Sequence, residues 1–230
     1  MIFQPMPKTP RLSREIVITE KIDGTNASVY IPPPEEAHLF VRKVLAGSRT
    51  RWIEPGDDNF GFAAWVDRNW EDLLQLGPGH HFGEWWGKGI QRGYGMEERR
   101  FSLFNVGRWW DGRDPEGPPD GMEQVPACCR VVPILWRGPF YLDQVDRCMS
   151  GLRIFGSVAA PGFPDPEGIM VYHTAASQLF KKTLEGDEGG KHGEAHPAKV
   201  RPPKTPRDPN VGGRRTANAG APDGIERRKA

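Results

Sequence analysis

Along the first third of the chain, apolar residues gather in short alternating runs. In residues 15–31, EIVITEKIDGTNASVYI, Ile16 and Ile18 alternate with Val17 and Thr19, and Ala27-Ser28-Val29-Tyr30-Ile31 resumes the pattern. This predicts a strand, a tight turn at Asp23-Gly24 and a second strand ended by Pro32-Pro33-Pro34. A third strand is expected over 39–45, stopped by Gly47. Phe62, Val66, Asn69 or Trp70, and Leu73 then recur at helical spacing, with Asp58 or Asn59 as the cap and Gly77-Pro78-Gly79 as the stop. Strands over 80–86 and 100–106 flank the Gly-rich segment 87–95, and 111–121 reads as a polar loop. A second helix is expected over 141–152, with Leu142, Val145, Met149 and Leu152 inward, followed by strands over 168–173 and 178–184. Strands joined by hairpins with only two helices predict an α+β fold built on antiparallel sheet.

Beyond about residue 190 periodicity stops and Pro, Gly, Lys and Arg dominate, which predicts a disordered basic tail over 191–230 behind a folded domain over 1–190. At 230 residues, with 37% hydrophobic and 27% charged residues, the chain is long enough for a substantial core. No apolar run approaches the roughly 20 residues of a membrane span, and the start does not read as a signal peptide, so a cytoplasmic protein without membrane contact is expected. A net charge of +1 neither favours nor excludes a nucleic-acid partner. Three cysteines (Cys128, Cys129 and Cys148) read as no disulfide framework and lack the CxxC spacing of a zinc site, even if His80 and His81 are counted with them.

The segment that carries chemistry is Lys21-Ile22-Asp23-Gly24-Thr25-Asn26. A lysine amine is protonated up to a pKa of about 10.4, so it becomes a nucleophile only where burial or nearby cations lower that value. A strand-end lysine followed by a chain reversal that returns Asn26 to the same pocket suits attack on a phosphate. Taken alone, the hexapeptide is equally a surface hairpin with Asp-Gly at its tip.

Other segments add to it. Lys21-x-Asp23-Gly24 resembles the first motif of the covalent nucleotidyltransferases, namely DNA ligases, RNA ligases and capping enzymes, and TEKIDGTN is most similar to the RNA ligase branch. Gly47-Ser48-Arg49, then FGEWWGKGIQRGYG over 82–95, Phe104 in FSLFNV, Glu167-Gly168-Ile169-Met170-Val171 and Leu179-Phe180-Lys181-Lys182-Thr183 resemble the later motifs, in order, across residues 15–190.

The resemblance implies an ATP-dependent RNA ligase with an adenylyltransferase domain, its antiparallel sheets forming a nucleotide-binding cleft between flanking helices. Lys21 would take AMP from ATP, pass it to a 5′-phosphate end, and a 3′-hydroxyl would complete the join. It further implies Lys21, Glu167 and Lys181 as catalytic residues, with Glu167 holding Mg²⁺ (or Mn²⁺) through water. Glu20, Asp23, Gly24, Asn26, Arg49, Glu84, Phe104 and Lys182 would bind the nucleotide: Glu84 at the ribose hydroxyls, Phe104 stacked on the purine with Phe101 as its substitute, and Arg49 on a phosphate with Arg51 close behind.

Two departures stand out. Many relatives carry Lys-x-Lys in the last motif, whereas Lys181 and Lys182 are adjacent and must point to opposite faces of a strand, with Thr183 sharing the face of Lys181. Lys181 is therefore favoured for the cleft, with Lys191 as a further contributor. No OB-fold is expected after the last motif, so RNA, or alternatively DNA, would dock on the domain surface, the tail or a partner protein. Exposed members of the eight tryptophans offer faces for stacking on unpaired bases, but the reading favoured for the pairs Trp85-Trp86 and Trp109-Trp110 is a division between core and surface. The alternatives are a DNA ligase, a GTP-using capping enzyme, and a non-catalytic nucleotide- or RNA-binding relative.

Overall fold

The structure is a computed structural model describing residues 3–6, 8–112 and 120–185. The expected tail, Lys191 and most of the expected polar loop lie outside the described residues. The strands are β1 (Glu15–Lys21), β2 (Thr25–Ile31), β3 (Leu45–Ser48), β4 (Trp52–Ile53), β5 (Gly79–Gly87) and β6 (Arg99–Leu103), followed by β7 (Trp109–Trp110), β8 (Glu123–Gln124), β9 (Cys129–Val131), β10 (Ile134–Pro139), β11 (Gly168–His173) and β12 (Gln178–Thr183). The helices are α1 (Phe62–Arg68), α2 (Trp70–Leu73) and α3 (Leu142–Phe155).

These strands form a four-stranded sheet in the order β10-β1-β11-β12 and a six-stranded sheet in the order β4-β3-β2-β5-β6-β9, with β7 and β8 as a separate small pair. Pairing is antiparallel throughout except for β6–β9 and β7–β8. The fold is therefore mixed α+β, rich in antiparallel sheet and sparing in helix. Among the described residues, no helix is long and apolar enough to cross a membrane.

Alternation of side chains assigns each sheet two faces. In the smaller sheet Ile16, Ile18, Ile169 and Val171 pack with Met149 and Leu152 of α3. In the larger sheet Ala27, Val29, Ile31, Trp85 and Phe101 pack with Phe62, Ala63 and Val66 of α1. Each sheet thus has one face sealed by a helix. The opposite faces, carrying Lys21 and Lys181 on one sheet and Asn26 and Glu84 on the other, line a common cleft.

The expected hairpin at Asp23-Gly24 is not formed. β1 pairs with β10 and β11, whereas β2 pairs with β3 and β5, so the chain crosses from one sheet to the other at residues 22–24. A tight Asp-Gly hairpin turn needs positive φ at its central residues, and neither Asp23 nor Gly24 has it. Glycine is required here for space: a Cβ on Gly24 would lie 2.6 Å from the Trp85 carbonyl oxygen and 2.8 Å from Trp86 Cβ.

Four other expectations are corrected. The strand expected over 39–45 begins only at Leu45, and Gly47 lies inside it, where a Cβ would sit 2.5 Å from Ser28 Oγ. The first helix is broken at Asn69 into α1, α2 and a final 3₁₀ turn, although the Asp58 carboxylate accepts hydrogen bonds from the Ala63 and Ala64 amides, as a cap does. In α3, Leu142 is exposed at the first turn, while Val145, Met149 and Leu152 face the sheet. Trp85 and Trp86 are both buried, because β5 is covered on both faces at this point: Phe62 and Trp65 pack on Trp85, and Tyr94 on Trp86.

Two glycines separate crowding from propensity. Gly24→Ala forces backbone apart and should cost about 1–3 kcal/mol, whereas Gly151→Ala, in α3 with open space around it, should gain roughly 0.5–1 kcal/mol. Urea unfolding of the two variants beside the wild type measures both; equal effects would contradict the crowding at Gly24.

Candidate active site

The cleft has a volume of about 1080 Å³ and is lined from both sheets, by Thr19, Lys21, Met170 and Lys181 on one side and by Asn26, Phe82, Glu84 and Phe104 on the other. Lys21 ends β1, and its partner across the ladder is Gly168, so the residue before that glycine is brought alongside it. There the Lys21 ammonium donates to the Glu167 carboxylate, with both side chains about one-fifth exposed. Gly168 has φ +154, and a Cβ there would meet the Lys182 carbonyl oxygen at 2.2 Å, so the close approach of β11 and β12 beside Glu167 depends on glycine.

Glu84 enters from the opposite sheet. It pairs in register with Asn26, whose Nδ2 donates to Glu84 Oε2 at 3.0 Å. Burial, at 7% exposure, disfavours its ionised form and pushes its pKa up to about 7; the Asn26 hydrogen bond and the Lys21 charge partly oppose that rise, and the Glu167 charge adds to it. Lys21 and both glutamates therefore share one electrostatic field, although they come from three distant segments.

The last motif resolves by alternation. Lys181 lines the cleft, whereas Lys182 pairs with Asp146 of α3 at 3.1 Å on the sheet's other face. The structure thus corrects the expectation that Lys182 faces the nucleotide. Glu20 is corrected likewise: it lies on the α3 side of β1, and its buried carboxylate accepts from Ser157 Oγ at 2.6 Å and from the Val158 and Ala159 amides at 2.8 Å. Its side chain anchors the loop after α3.

Asp23 also turns aside, accepting from Arg92 Nε at 3.2 Å, while its backbone amide donates to Tyr94 Oη at 2.9 Å. Gly24, Arg49 and Phe104 line the cleft; Phe104 is 42% exposed, which leaves its ring available, whereas Phe101 is fully buried among Phe62 and Trp65 and cannot substitute for it. Arg51 forms a two-pronged pair with Asp57 and does not line the cleft. Among the described residues, neither Arg49 nor Lys181 makes an ion pair.

Sequence reading missed Arg92. Its guanidinium joins Asp23 beside Lys21, Asp165 beside Glu167, and Glu185 just past β12. It therefore ties together the segments that carry Lys21, Glu167 and Lys181. Nothing local in IQRGYG signals this, since the partners lie 69 to 93 residues away.

Among the described residues, no group of three or more His, Cys, Asp or Glu side chains is arranged to hold a metal. Cys128, Cys129 and Cys148 are free cysteines. Glu167, the carboxylate beside Lys21, is a single oxygen donor, which suits a hard, largely hydrated cation rather than a fully protein-ligated one.

A sequence profile described as RNA ligase matches residues 14–189. Comparison with curated proteins finds no match. Solved structures with a similar fold include a variant of Naegleria gruberi RNA ligase with ATP and Mn (15% identity, TM-score 0.49, covering 74% of this chain and 49% of that one). Another variant of the same ligase, with AMP and Mn, matches at 17% identity and TM-score 0.49, covering 75% and 50%. The ligase with PPi matches at 17% identity and TM-score 0.47, covering 74% and 50%. The chain spans about half the length of these structures.

The raised pKa of Glu84 has a thermodynamic signature. Below the usual carboxylate value of 4.5 the folded and unfolded states are both protonated; between 4.5 and about 7 only the folded state retains the proton, so stability from this group is lost as pH rises through that window. Glu84→Gln should therefore gain on the wild type as pH rises, by up to about 3 kcal/mol at pH 8 and almost nothing extra at pH 4. Urea unfolding at both pH values checks this, and a difference independent of pH would refute the buried, proton-retaining carboxylate.

Proposed function

Because the chain belongs to the RNA ligase family, we propose that it is an ATP-dependent RNA ligase whose residues 1–190 form an adenylyltransferase domain, with Lys21 as the residue that carries AMP. The observation that supports this reading most is the position of the Lys21 amine: at the edge of a cleft large enough for a nucleotide, facing Glu167 and within the field of Glu84.

In the proposed mechanism the Lys21 nitrogen, once deprotonated, attacks the α-phosphorus of ATP. The N–P bond forms as the bond to the pyrophosphate oxygen breaks, and pyrophosphate leaves. Glu167 is the nearest acceptor for the ammonium proton. Lys181 and Arg49, which line the cleft and make no ion pair among the described residues, offset charge on the phosphates, Arg49 through its planar fork of donors. Glu84, with Asn26 donating to it, accepts from the ribose hydroxyls, and Phe104 offers its exposed face to the purine.

A divalent cation, Mg²⁺ or Mn²⁺, held through water by Glu167 would supply additional neutralisation at the phosphate oxygens. AMP next passes from Lys21 to a 5′-phosphate of RNA, and attack by a 3′-hydroxyl on the activated 5′–5′ pyrophosphate seals the strand and releases AMP. Each step asks the side chains for positioning and charge neutralisation.

Incubation of the purified chain with labelled ATP should give an acid-labile AMP–protein adduct that Lys21→Ala abolishes. Lys181→Ala should lower the rate of adduct formation about 100-fold, as expected for loss of a charge at the phosphates, while Lys182→Ala should remain close to wild type. An adduct with GTP alone, or one that survives Lys21→Ala, would overturn the assignment.

A further inference from the structure

The cleft face of the larger sheet continues past the proposed catalytic residues. Side chains two apart on a strand share a face, so Glu84, Phe82 and His80 of β5 follow one another along it, with Asn26, Ser28 and Tyr30 of β2 beside them. The face is polar at the Lys21 end and aromatic at the other.

The aromatic end is ordered. The His80 ring is stacked on Phe82, with centroids 5.7 Å apart and planes 7° from parallel, and on Trp52, at 5.7 Å and 20°. Tyr30 packs against His80 at 4.4 Å. Trp52 reaches this row from β4 by lying across Gly47, where a Cβ would come within 3.4 Å of its ring. Large rings on the open face of a sheet are ordinarily covered, yet Trp52 is 49% and Phe82 59% exposed. Phe82 and His80 also line the cleft, as does Arg49. Trp52 does not line the cleft, and the Tyr30 hydroxyl donates to Glu36, whose negative charge closes the far end of the row.

We propose that the Phe82–His80–Trp52 row is a stacking platform for unpaired RNA bases leading into the cleft, so that the ends joined are single-stranded. This rests on the ligase reading and adds the form of the substrate. Three features favour nucleic acid over a protein as the occupant. The rings of Phe82, His80 and Trp52 are near parallel. Arg49, which makes no ion pair among the described residues, lines the same cleft as Phe82 and His80, and the face is continuous with the side chains proposed to hold AMP. Paired bases are stacked between their neighbours, so a duplex exposes base faces only at its two ends, whereas unpaired bases of any sequence can offer theirs along the strand.

The test uses the full chain and a fluorescently labelled RNA of about 12 nucleotides with a 3′-hydroxyl, single-stranded or annealed into a blunt duplex, with binding followed by anisotropy. The single strand should bind more tightly than the duplex. Trp52→Ala should weaken single-strand binding about tenfold with little change for the duplex, and Trp52→Phe should recover most of the loss. Formation of the AMP adduct from ATP alone should be unchanged in Trp52→Ala, which reports an intact domain.

Equal single-strand binding by wild type and Trp52→Ala, or tighter binding of the duplex by the wild type, would overturn the platform while leaving the ligase reading intact. Absence of an adduct in the wild type would strike at the ligase reading itself.

Discussion

A lysine ammonium held against one carboxylate, with a second, buried carboxylate in the same field, is the interaction around which this molecule is arranged. Lys21 and Glu167 are neighbours because β1 and β11 are antiparallel in a register that sets Lys21 opposite Gly168. Glu84 joins them from the other sheet, held by Asn26. Slipping either strand by one residue would turn its cleft-facing side chains towards a helix, so the charge cluster exists only in the register that also fills both cores.

The two carboxylates occupy different environments, and that difference divides their chemistry. Glu167 is partly solvated and paired with a cation, while Glu84 is sealed in and has its pKa pushed up to about 7. Arg92 supplies the tie between the loops. By bonding to Asp23, Asp165 and Glu185 it adds side-chain ties between segments that the β1–β11–β12 ladder sets side by side.

The same sheet face that presents Asn26 and Glu84 carries the aromatic row towards β4. One strand pair thus grades from polar side chains to an aromatic row over a few residues, without a change of element. Glycine makes both ends possible for the same steric reason: Gly24 lets the chain pass over Trp85 and Trp86, and Gly47 makes room for Trp52 and Ser28.

Much of the secondary structure was written locally. The extents of β1 and β2 followed closely from alternation, those of β5, β11 and β12 from short apolar runs between turn residues, and the inward residues Met149 and Leu152 of α3 from helical spacing. The opposite orientations of Lys181 and Lys182 followed from the alternation of side chains along a strand. Pairing was not written locally. The Asp23-Gly24 step looked like a hairpin turn, and only the packed structure sends β1 and β2 into different sheets, since which strands pair depends on what each covers. Short segments such as β9 and β10, stabilised by their neighbours rather than by their own pattern, were invisible for that reason. The turning of Glu20 and Asp23 towards Ser157 and Arg92, the burial that raises the Glu84 pKa, and the alignment of Trp52 with His80 were likewise settled by residues distant in sequence. A side chain's type and period fix which face it takes, but its partner and its charge state belong to the space around it, and only folding creates that space.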